Sequence, residues 1–171
     1  MADAVQAFTI REIRPEEYEA LGELTVRAYA AASDDDPDYH PQLRNVARRA
    51  SRIPVLVAVD PDGRVLGGVA YVPEAGAPYA ESERDNEAGF RMLAVDPSVG
   101  GRGIGRALAV ACIERARASG RSGVAILTQP SREVAHGLYS SLGFRRDATR
   151  DLEYAPGRRL LSFVLTFDEA Q

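Results

Sequence analysis

Glycine occupies four of the six positions from 100 to 105, in a short segment that separates a predicted strand from a predicted helix. Glycine loses more backbone freedom on folding than any other residue, so this spacing costs entropy that an ordinary turn does not require. A turn without side chains leaves backbone N–H groups uncovered at the positive end of the helix dipole, where phosphates bind. Arg102 and Arg106 add positive charge there. The segment therefore predicts an anion-binding turn; a tight turn that binds no ligand is the alternative.

Two common phosphate-binding motifs are excluded by the residues around this turn. A P-loop requires a lysine after its last glycine, and the chain contains no lysine. A dinucleotide-binding fingerprint requires a third glycine at position 106 or 108, where this chain has Arg106 and Leu108. It also requires an acidic residue near the end of the next predicted strand, where this chain has Thr128 and Gln129. The turn therefore indicates a different kind of phosphate site.

Composition indicates one globular domain, residues 1–171, that uses neither disulfides nor metal. Hydrophobic residues make up 45% of the chain and charged residues 27%, and no linker divides it. Cys112 is the only cysteine, which excludes an internal disulfide and a cysteine zinc cage. His40 and His136 show no spacing typical of metal ligands. No metal site is expected.

Charge and hydropathy argue against nucleic-acid and membrane partners. The net charge is −4 and the pI is about 5.3, which is unfavourable for general nucleic-acid binding. The longest apolar run covers residues 107–113, far short of the roughly 20 residues that span a bilayer. The first four residues lack the basic and apolar blocks of a signal peptide. We therefore expect a cytoplasmic protein.

Hydrophobic periodicity predicts a mixed α/β fold with the element order β-α-α-β-β-β-α-β-α-β-β. The predicted strands are residues 7–14, 55–59, 65–72, 87–95, 124–128, 144–149 and 160–167. The predicted helices are residues 16–32, 41–51, the glycine turn to about 119, and 131–142. Ser131 is expected to cap the last helix, with Val134 facing inward.

Two motifs, read in order, resemble those of the GNAT N-acetyltransferase family. Residues 91–97 (RMLAVDP) and 100–108 (GGRGIGRAL) resemble the strand and the acetyl-CoA-binding turn, whose pattern is Arg/Gln-x-x-Gly-x-Gly/Ala. Residues 138–144 (LYSSLGF) resemble the downstream Leu-Tyr-x-x-Leu-Gly-Phe element. The resemblance covers nearly the whole chain. It implies a single domain with a mixed, mostly antiparallel sheet of about seven strands, about four flanking helices and a splayed pair of parallel central strands.

The resemblance also implies an activity, the transfer of an acetyl group from acetyl-CoA to a primary amine by direct transfer through a tetrahedral intermediate. The amides from Gly101 to Arg106 would cradle the CoA pyrophosphate, and the main chain of Leu93 and Val95 would pair with pantetheine. The Leu93 amide would polarise the thioester carbonyl, and Tyr139 would protonate the departing thiolate. The implied acetyl-CoA-binding residues are Leu93, Ala94, Val95, Gly100, Gly101, Arg102, Gly103, Ile104, Gly105, Arg106, Thr128 and Gln129.

Three positions depart from the family pattern. Gly100 replaces the first Arg/Gln of the turn, and Arg132 replaces an asparagine that contacts pantetheine in many members. Gly89 stands where many members carry a glutamate general base. Glu87, two residues earlier and so on the same strand face, is the candidate base, and Asp85 is a weaker one. A solvated acid at the strand end is the alternative for Glu87.

The identity of the acceptor rests on charge alone. Residues 33–39 and 73–86, which flank the acceptor side in the resembled family, are both acidic. They suggest a cationic acceptor such as an amine-bearing metabolite or a peptide amine; acidic solvated loops are the alternative. A homodimer paired through the final strand is a further expectation. Competing functions are an acyl-CoA sensor without turnover, and transfer of a longer acyl group or transfer to a hydroxyl.

Overall fold

A computed structural model describes residues 7–168 of the chain. The strands are β1 (Thr9–Glu12), β2 (Val55–Val59), β3 (Val65–Val72), β4 (Glu87–Val95), β5 (Gly123–Thr128), β6 (Arg145–Arg146), β7 (Leu152–Ala155) and β8 (Arg158–Thr166). The helices are α1 (Tyr18–Ala30), α2 (His40–Arg44), α3 (Val46–Ala50), α4 (Ile104–Ala118) and α5 (Glu133–Ser141). Among these described residues, no helix is long and apolar enough to cross a membrane.

The strands follow the order β1-β2-β3-β4-β5-β8-β6, and β7 pairs with β8. β4 and β5 run parallel, whereas β1–β2, β2–β3, β5–β8, β6–β8 and β7–β8 are antiparallel. This confirms the predicted mixed, mostly antiparallel α/β sheet. The sequence analysis missed β7, which forms a hairpin with β8 through a turn in which Gly157 has a φ of 74°.

Two compact units are defined by the density of contacts along the chain. Among the described residues, the first comprises residues 7–31, 35–70 and 92–111, and the second comprises residues 32–34, 71–91 and 112–168. β3, β4 and α4 each begin in one unit and end in the other.

In the first unit, the helix predicted over residues 41–51 is divided into α2 and α3 at Asn45. Asn45 leaves the helical region, and its side chain accepts a hydrogen bond of 3.2 Å from the Arg48 N–H, as an N-cap does. Arg49 is 2% exposed, and its guanidinium donates to the carbonyls of Gln42 and Leu43 at 2.8 and 3.0 Å. The buried charge thus ties α3 to α2.

In the second unit, α5 begins later than predicted. Its N-cap is Arg132, without a side-chain hydrogen bond to the helix, whereas Ser131 donates through both its N–H and its hydroxyl to Asp34. The prediction that Ser131 caps the helix is therefore wrong. Val134, expected to face inward, is 91% exposed, because the later start places it on the outer face of the first turn.

Gly67 allows β3 to approach both β4 and α4 closely within the first unit. A Cβ at this position would lie 2.7 Å from the Ala94 carbonyl oxygen and 3.2 Å from a methyl carbon of Ile104. Ala94 belongs to β4, and Ile104 is the first residue of α4. The missing side chain therefore fixes the spacing on which the start of α4 depends.

We expect Gly67→Ala to lower the free energy of unfolding by about 1–3 kcal/mol, because the backbone carbonyl of Ala94 cannot yield as a flexible side chain would. Gly76→Ala is the matched control, since nothing lies within 4 Å of a Cβ there. Urea unfolding of both variants measures the difference. An equal effect of the two substitutions would contradict the close-approach explanation.

Candidate active site

The parallel ladder between β4 and β5 is short. It joins Glu87 to Gly123, Ala88 to Val124 and Gly89 to Ala125, within the second unit. β4 continues to Val95 and β5 to Thr128, so both strands extend beyond their last shared pair. The parallel central pair that the sequence resemblance implied is therefore confirmed.

Met92, in the half of β4 that belongs to the first unit, has a left-handed backbone with a φ of 55°. A long side chain adopts this conformation at a cost of about 1–3 kcal/mol, and only where surrounding contacts hold it there. The Met92 side chain is buried in a cluster with Val26 and Leu43, and Tyr29 and Tyr39 pack against that cluster. Sequence reasoning missed this irregularity, which directly precedes the predicted thioester-binding residue.

The glycine turn is anchored firmly at both ends. Before it, Asp96 accepts hydrogen bonds of 2.9 Å from the N–H and hydroxyl of Ser98 and from the Arg64 guanidinium. Burial opposes ionisation of Asp96, but these hydrogen bonds and the positive charge of Arg64 lower its pKa overall. Val99, before the turn, and Ile104, after it, are 5% and 1% exposed. Buried residues therefore hold an exposed backbone loop in place.

The turn itself is open. Gly101 and Gly103 have φ values of 81° and 75°, and nothing lies within 4 Å of a Cβ at either position. The Ala107 N–H donates to the Gly103 carbonyl at 3.0 Å, so Gly103 forms the N-terminal boundary of α4. The first N–H groups of a helix lack acceptors within the helix, and here they adjoin an uncrowded, exposed surface. The geometry fits a phosphate group held by main-chain donors.

Tyr139 is held in an aromatic cluster of the second unit. Its ring centroid lies 5.9 Å from that of Phe90, 5.7 Å from that of Phe144 and 6.1 Å from that of Phe163. The residue is 5% exposed. Phe90 adjoins Gly89, the last β4 residue paired with β5. The predicted general acid is therefore fixed beside the end of the parallel ladder.

The carboxyl end of β5 is connected to α5 by side-chain contacts. Thr128 is 7% exposed and pairs with β8, and Gln129 accepts a 3.1 Å hydrogen bond from the Arg132 guanidinium. The Gln129 carbonyl lies 3.0 Å from a ring nitrogen of His136. Arg132, one of the departures from the family pattern, thus orients a residue predicted to flank the acetyl-CoA groove.

Glu87, the base predicted from the sequence, is engaged in an ion pair. The Arg150 guanidinium donates to its carboxylate at 2.6 and 3.2 Å, and the Arg84 N–H donates at 2.8 Å. Burial favours the neutral acid, but the hydrogen bonds and positive charges of both arginines lower the pKa of Glu87 overall. A lower pKa makes a carboxylate a weaker base. The catalytic role of Glu87 stays a prediction, and its contacts work against that role.

A second carboxylate, which the sequence analysis did not select, occupies the space above Gly89. A Cβ at Gly89 would overlap Glu83 Oε1 and would lie 2.9 Å from Glu83 Cδ. The other carboxylate oxygen accepts a 2.7 Å hydrogen bond from the Glu81 N–H. Burial and the Glu81 charge raise the pKa of Glu83, outweighing the backbone N–H donors and Arg91, which lower it. The available sequence signal was a bare glycine beside an acidic loop, and it did not say which acid fills the gap.

No group of three or more His, Cys, Asp and Glu side chains that could hold a metal ion occurs within residues 7–168. Cys112 is completely buried, and burial raises the pKa of its thiol, which disfavours the thiolate.

Comparison with known families decides which family this arrangement belongs to. The model of the acetyltransferase (GNAT) family matches residues 10–144. The chain belongs to the GNAT acetyltransferase family. The curated mycothiol acetyltransferase of Arthrobacter sp. (strain FB24) is 33% identical over an alignment of 142 positions, which covers 75% of this chain and 42% of that protein. The chain spans half or less of the length of the curated relatives it matches.

Solved structures of the family share the fold. A GCN5-related N-acetyltransferase from Kribbella flavida has a TM-score of 0.71 at 24% identity, covering 94% of this chain and 98% of that one. A GNAT acetyltransferase from Brucella melitensis, in complex with acetyl-CoA, has a TM-score of 0.65 at 23% identity, covering 97% and 92%. At these identities the similarity establishes the fold alone.

We expect Glu87→Gln to lower the free energy of unfolding by about 1.5–3 kcal/mol at neutral pH, through loss of a part-buried charged hydrogen bond. The folded-state pKa lies below the unfolded value of about 4.3, so this stabilisation is fully present above that value. It is lost as the pH falls through the folded-state pKa. Urea unfolding of the natural chain and of Glu87→Gln from pH 7 to pH 3 measures this effect. The free energies of unfolding of the two proteins should converge as the pH falls.

A double-mutant cycle with Arg150→Gln serves as the control for this prediction. The double variant should be more stable than the sum of the single effects predicts, by about 0.5–3 kcal/mol. Strict additivity would show that the ion pair contributes nothing to stability.

Proposed function

We propose that this chain transfers an acetyl group from acetyl-CoA to a primary amine. The observation that carries the proposal is the open turn with Gly101 and Gly103 at positive φ, at the start of a 15-residue helix in a chain of the GNAT family. A turn with buried anchors and an exposed main chain fits a pyrophosphate. Acetyl-CoA is the ligand in the Brucella melitensis relative and supplies an activated acetyl group.

The first unit provides the binding surface for the co-substrate in this proposal. Main-chain N–H groups from Gly101 to Arg106 hold the pyrophosphate, and Arg102 adds positive charge. Leu93 and Val95 lie beyond the last residue that β4 pairs with β5. Their main chain pairs with the pantetheine arm, and the Leu93 N–H stabilises negative charge on the thioester oxygen.

Tyr139 provides the proton for the leaving group. A thiolate leaves more readily if it is protonated as the carbon–sulfur bond breaks, and the Tyr139 hydroxyl serves as the acid. The three phenylalanine rings around Tyr139 hold its ring in one position. The rings confine the tyrosine, so its hydroxyl is pre-positioned for the transfer.

The acceptor is a primary amine that is positively charged when protonated. The acidic segments that suggested a cation are partly neutralised, since Glu81 pairs with Arg91 and Glu74 lies 3.8 Å from Arg121. Turnover with a panel of cationic, neutral and anionic primary amines tests the charge preference. A preference for anionic amines would refute a cationic acceptor; the homodimer stays a separate prediction.

We expect Gly103→Ala to raise the dissociation constant of CoA about tenfold or more, because its methyl group enters the open space of the turn. Isothermal titration with CoA measures the change. Gly63→Ala is the matched control, since Gly63 also has a positive φ, 85°, and open space around a Cβ, but lies in the β2–β3 hairpin. Equal CoA affinities in the two variants would contradict the proposed pyrophosphate site.

We expect Tyr139→Phe to slow turnover by about 10²–10⁴-fold while leaving CoA affinity unchanged, because only proton donation is lost. Thiol release from acetyl-CoA in the presence of primary amines measures turnover. Tyr154→Phe, at a tyrosine that is 47% exposed, is the control for the substitution itself. CoA binding by the natural chain without thiol release for any amine would instead favour an acyl-CoA sensor.

A further inference from the structure

The loop between β3 and β4 delivers one carboxylate to the end of the parallel ladder. Gly89 makes the last pair with β5, opposite Ala125, and it has no side chain of its own. Glu83 lies in the space that a side chain at Gly89 would occupy. Its Oε2 is anchored by the Glu81 N–H at 2.7 Å, which leaves Oε1 as the oxygen nearest Gly89. A loop residue therefore presents an oriented carboxylate where the two strands begin to separate.

We propose that Glu83 is the general base that removes the proton from the acceptor amine in this chain. The inference rests on the proposed acetyl transfer and assigns a catalytic group that the sequence analysis had not selected. Successive strand residues point to opposite faces, so Glu83 above Gly89 and Tyr139 against Phe90 approach β4 from opposite faces. Base and acid thus flank the end of the ladder from two sides.

The charged groups around Glu83 support this assignment. Glu81 on the same loop repels its charge, whereas Arg91 on β4 and Arg150 from the segment before β7 attract it. Arg91 is paired with Glu81, and Arg150 with Glu87, so each arginine already has a carboxylate partner of its own. Burial then dominates and raises the pKa of Glu83, which makes it a stronger base than Glu87.

The proton balance of the step is complete with these groups. An ammonium with a pKa of about 10.4 is almost entirely protonated at pH 7, and Glu83 takes one proton from it. The neutral nitrogen attacks the thioester carbon, so a C–N bond forms and the C–S bond breaks. Tyr139 gives its proton to sulfur, and the second proton lost by nitrogen returns through water to Tyr139. Glu83 releases its proton to solvent, so one proton is produced for each acetyl group transferred.

The pH dependence of Glu83→Gln tests the proposal. In the natural chain, kcat/KM falls as the pH drops through the pKa of Glu83, because the base becomes protonated. The variant keeps a side-chain acceptor for the Glu81 N–H but has no base, so we expect kcat/KM at pH 7 to fall about 10²-fold or more. Without a base, the variant reacts only with amine that is already neutral, so its kcat/KM should rise tenfold per pH unit up to the pKa of the amine. The kcat/KM values of the variant and the natural chain should therefore approach each other at high pH.

Two further variants separate catalysis from structure. Glu81→Gln keeps the N–H that binds Glu83 but removes the charge that raises its pKa and the partner of Arg91. Its kcat/KM should therefore still fall at low pH, with the midpoint of the fall moved to lower pH. Glu83→Ala leaves a gap above Gly89, and added formate should restore turnover in proportion to its concentration. Refilling the gap by substitution at Gly89 is unsuitable, since a Cβ there would lie 2.7 Å from the Ala125 carbonyl oxygen.

Failure of Glu83 as the base can be distinguished from failure of the proposed acetyl transfer. An unchanged pH profile and rate in Glu83→Gln, with a natural chain that acetylates amines, would overturn the base assignment alone. A defect that stays constant at every pH and is not rescued by formate would also overturn it, in favour of a structural role. Absence of thiol release by the natural chain with every amine tested would refute both the acetyl transfer and its base.

Discussion

The early end of the β4–β5 ladder is the constraint on which the candidate site depends. Parallel strands stabilise each other through evenly spaced main-chain hydrogen bonds, and here only three residue pairs contribute. Beyond Gly89, β4 carries first Phe90, which packs against Tyr139, and then Met92, whose left-handed backbone is held by its buried side chain. Because Gly89, in the last shared pair, has no side chain, the carboxylate of Glu83 can lie above this strand.

Arginine–carboxylate pairs give the neighbouring acidic loop a defined shape. Arg150 binds both Glu87 and the Ser82 carbonyl, the latter at 2.6 Å, and Arg91 binds Glu81. These pairs hold the loop on either side of Glu83. Burial raises the pKa of Glu83, whereas the pKa of Glu87 falls because Arg150 and the Arg84 N–H donate hydrogen bonds to it.

Local patterns predicted most of the fold correctly. β4 was predicted with both boundaries, and α4 was placed after the glycine turn, because strand periodicity, a glycine cluster and an amphipathic run adjoin one another. Errors arose where one residue had two competing options. Asn45 caps a new helix instead of continuing the old one, and Ser131 binds Asp34, 97 positions away, instead of its own helix. A contact between residues so far apart in the chain, such as that of Ser131 with Asp34, produces no periodic pattern in the sequence.

The amino-acid sequence by itself determined the glycine turn that is proposed to bind an anion, since its glycines, its arginines and the helix that follows are neighbours in the chain. It also determined that Gly89 lacks the side chain expected at that position. Only the tertiary structure decided which acidic side chain lies where the side chain of residue 89 is missing. The choice between Glu83 and Glu87 depends on the path of a loop and on Arg150, which lies 63 residues beyond Glu87. Burial and ion pairing set the basicity of each carboxylate, and both arise only when distant segments pack together.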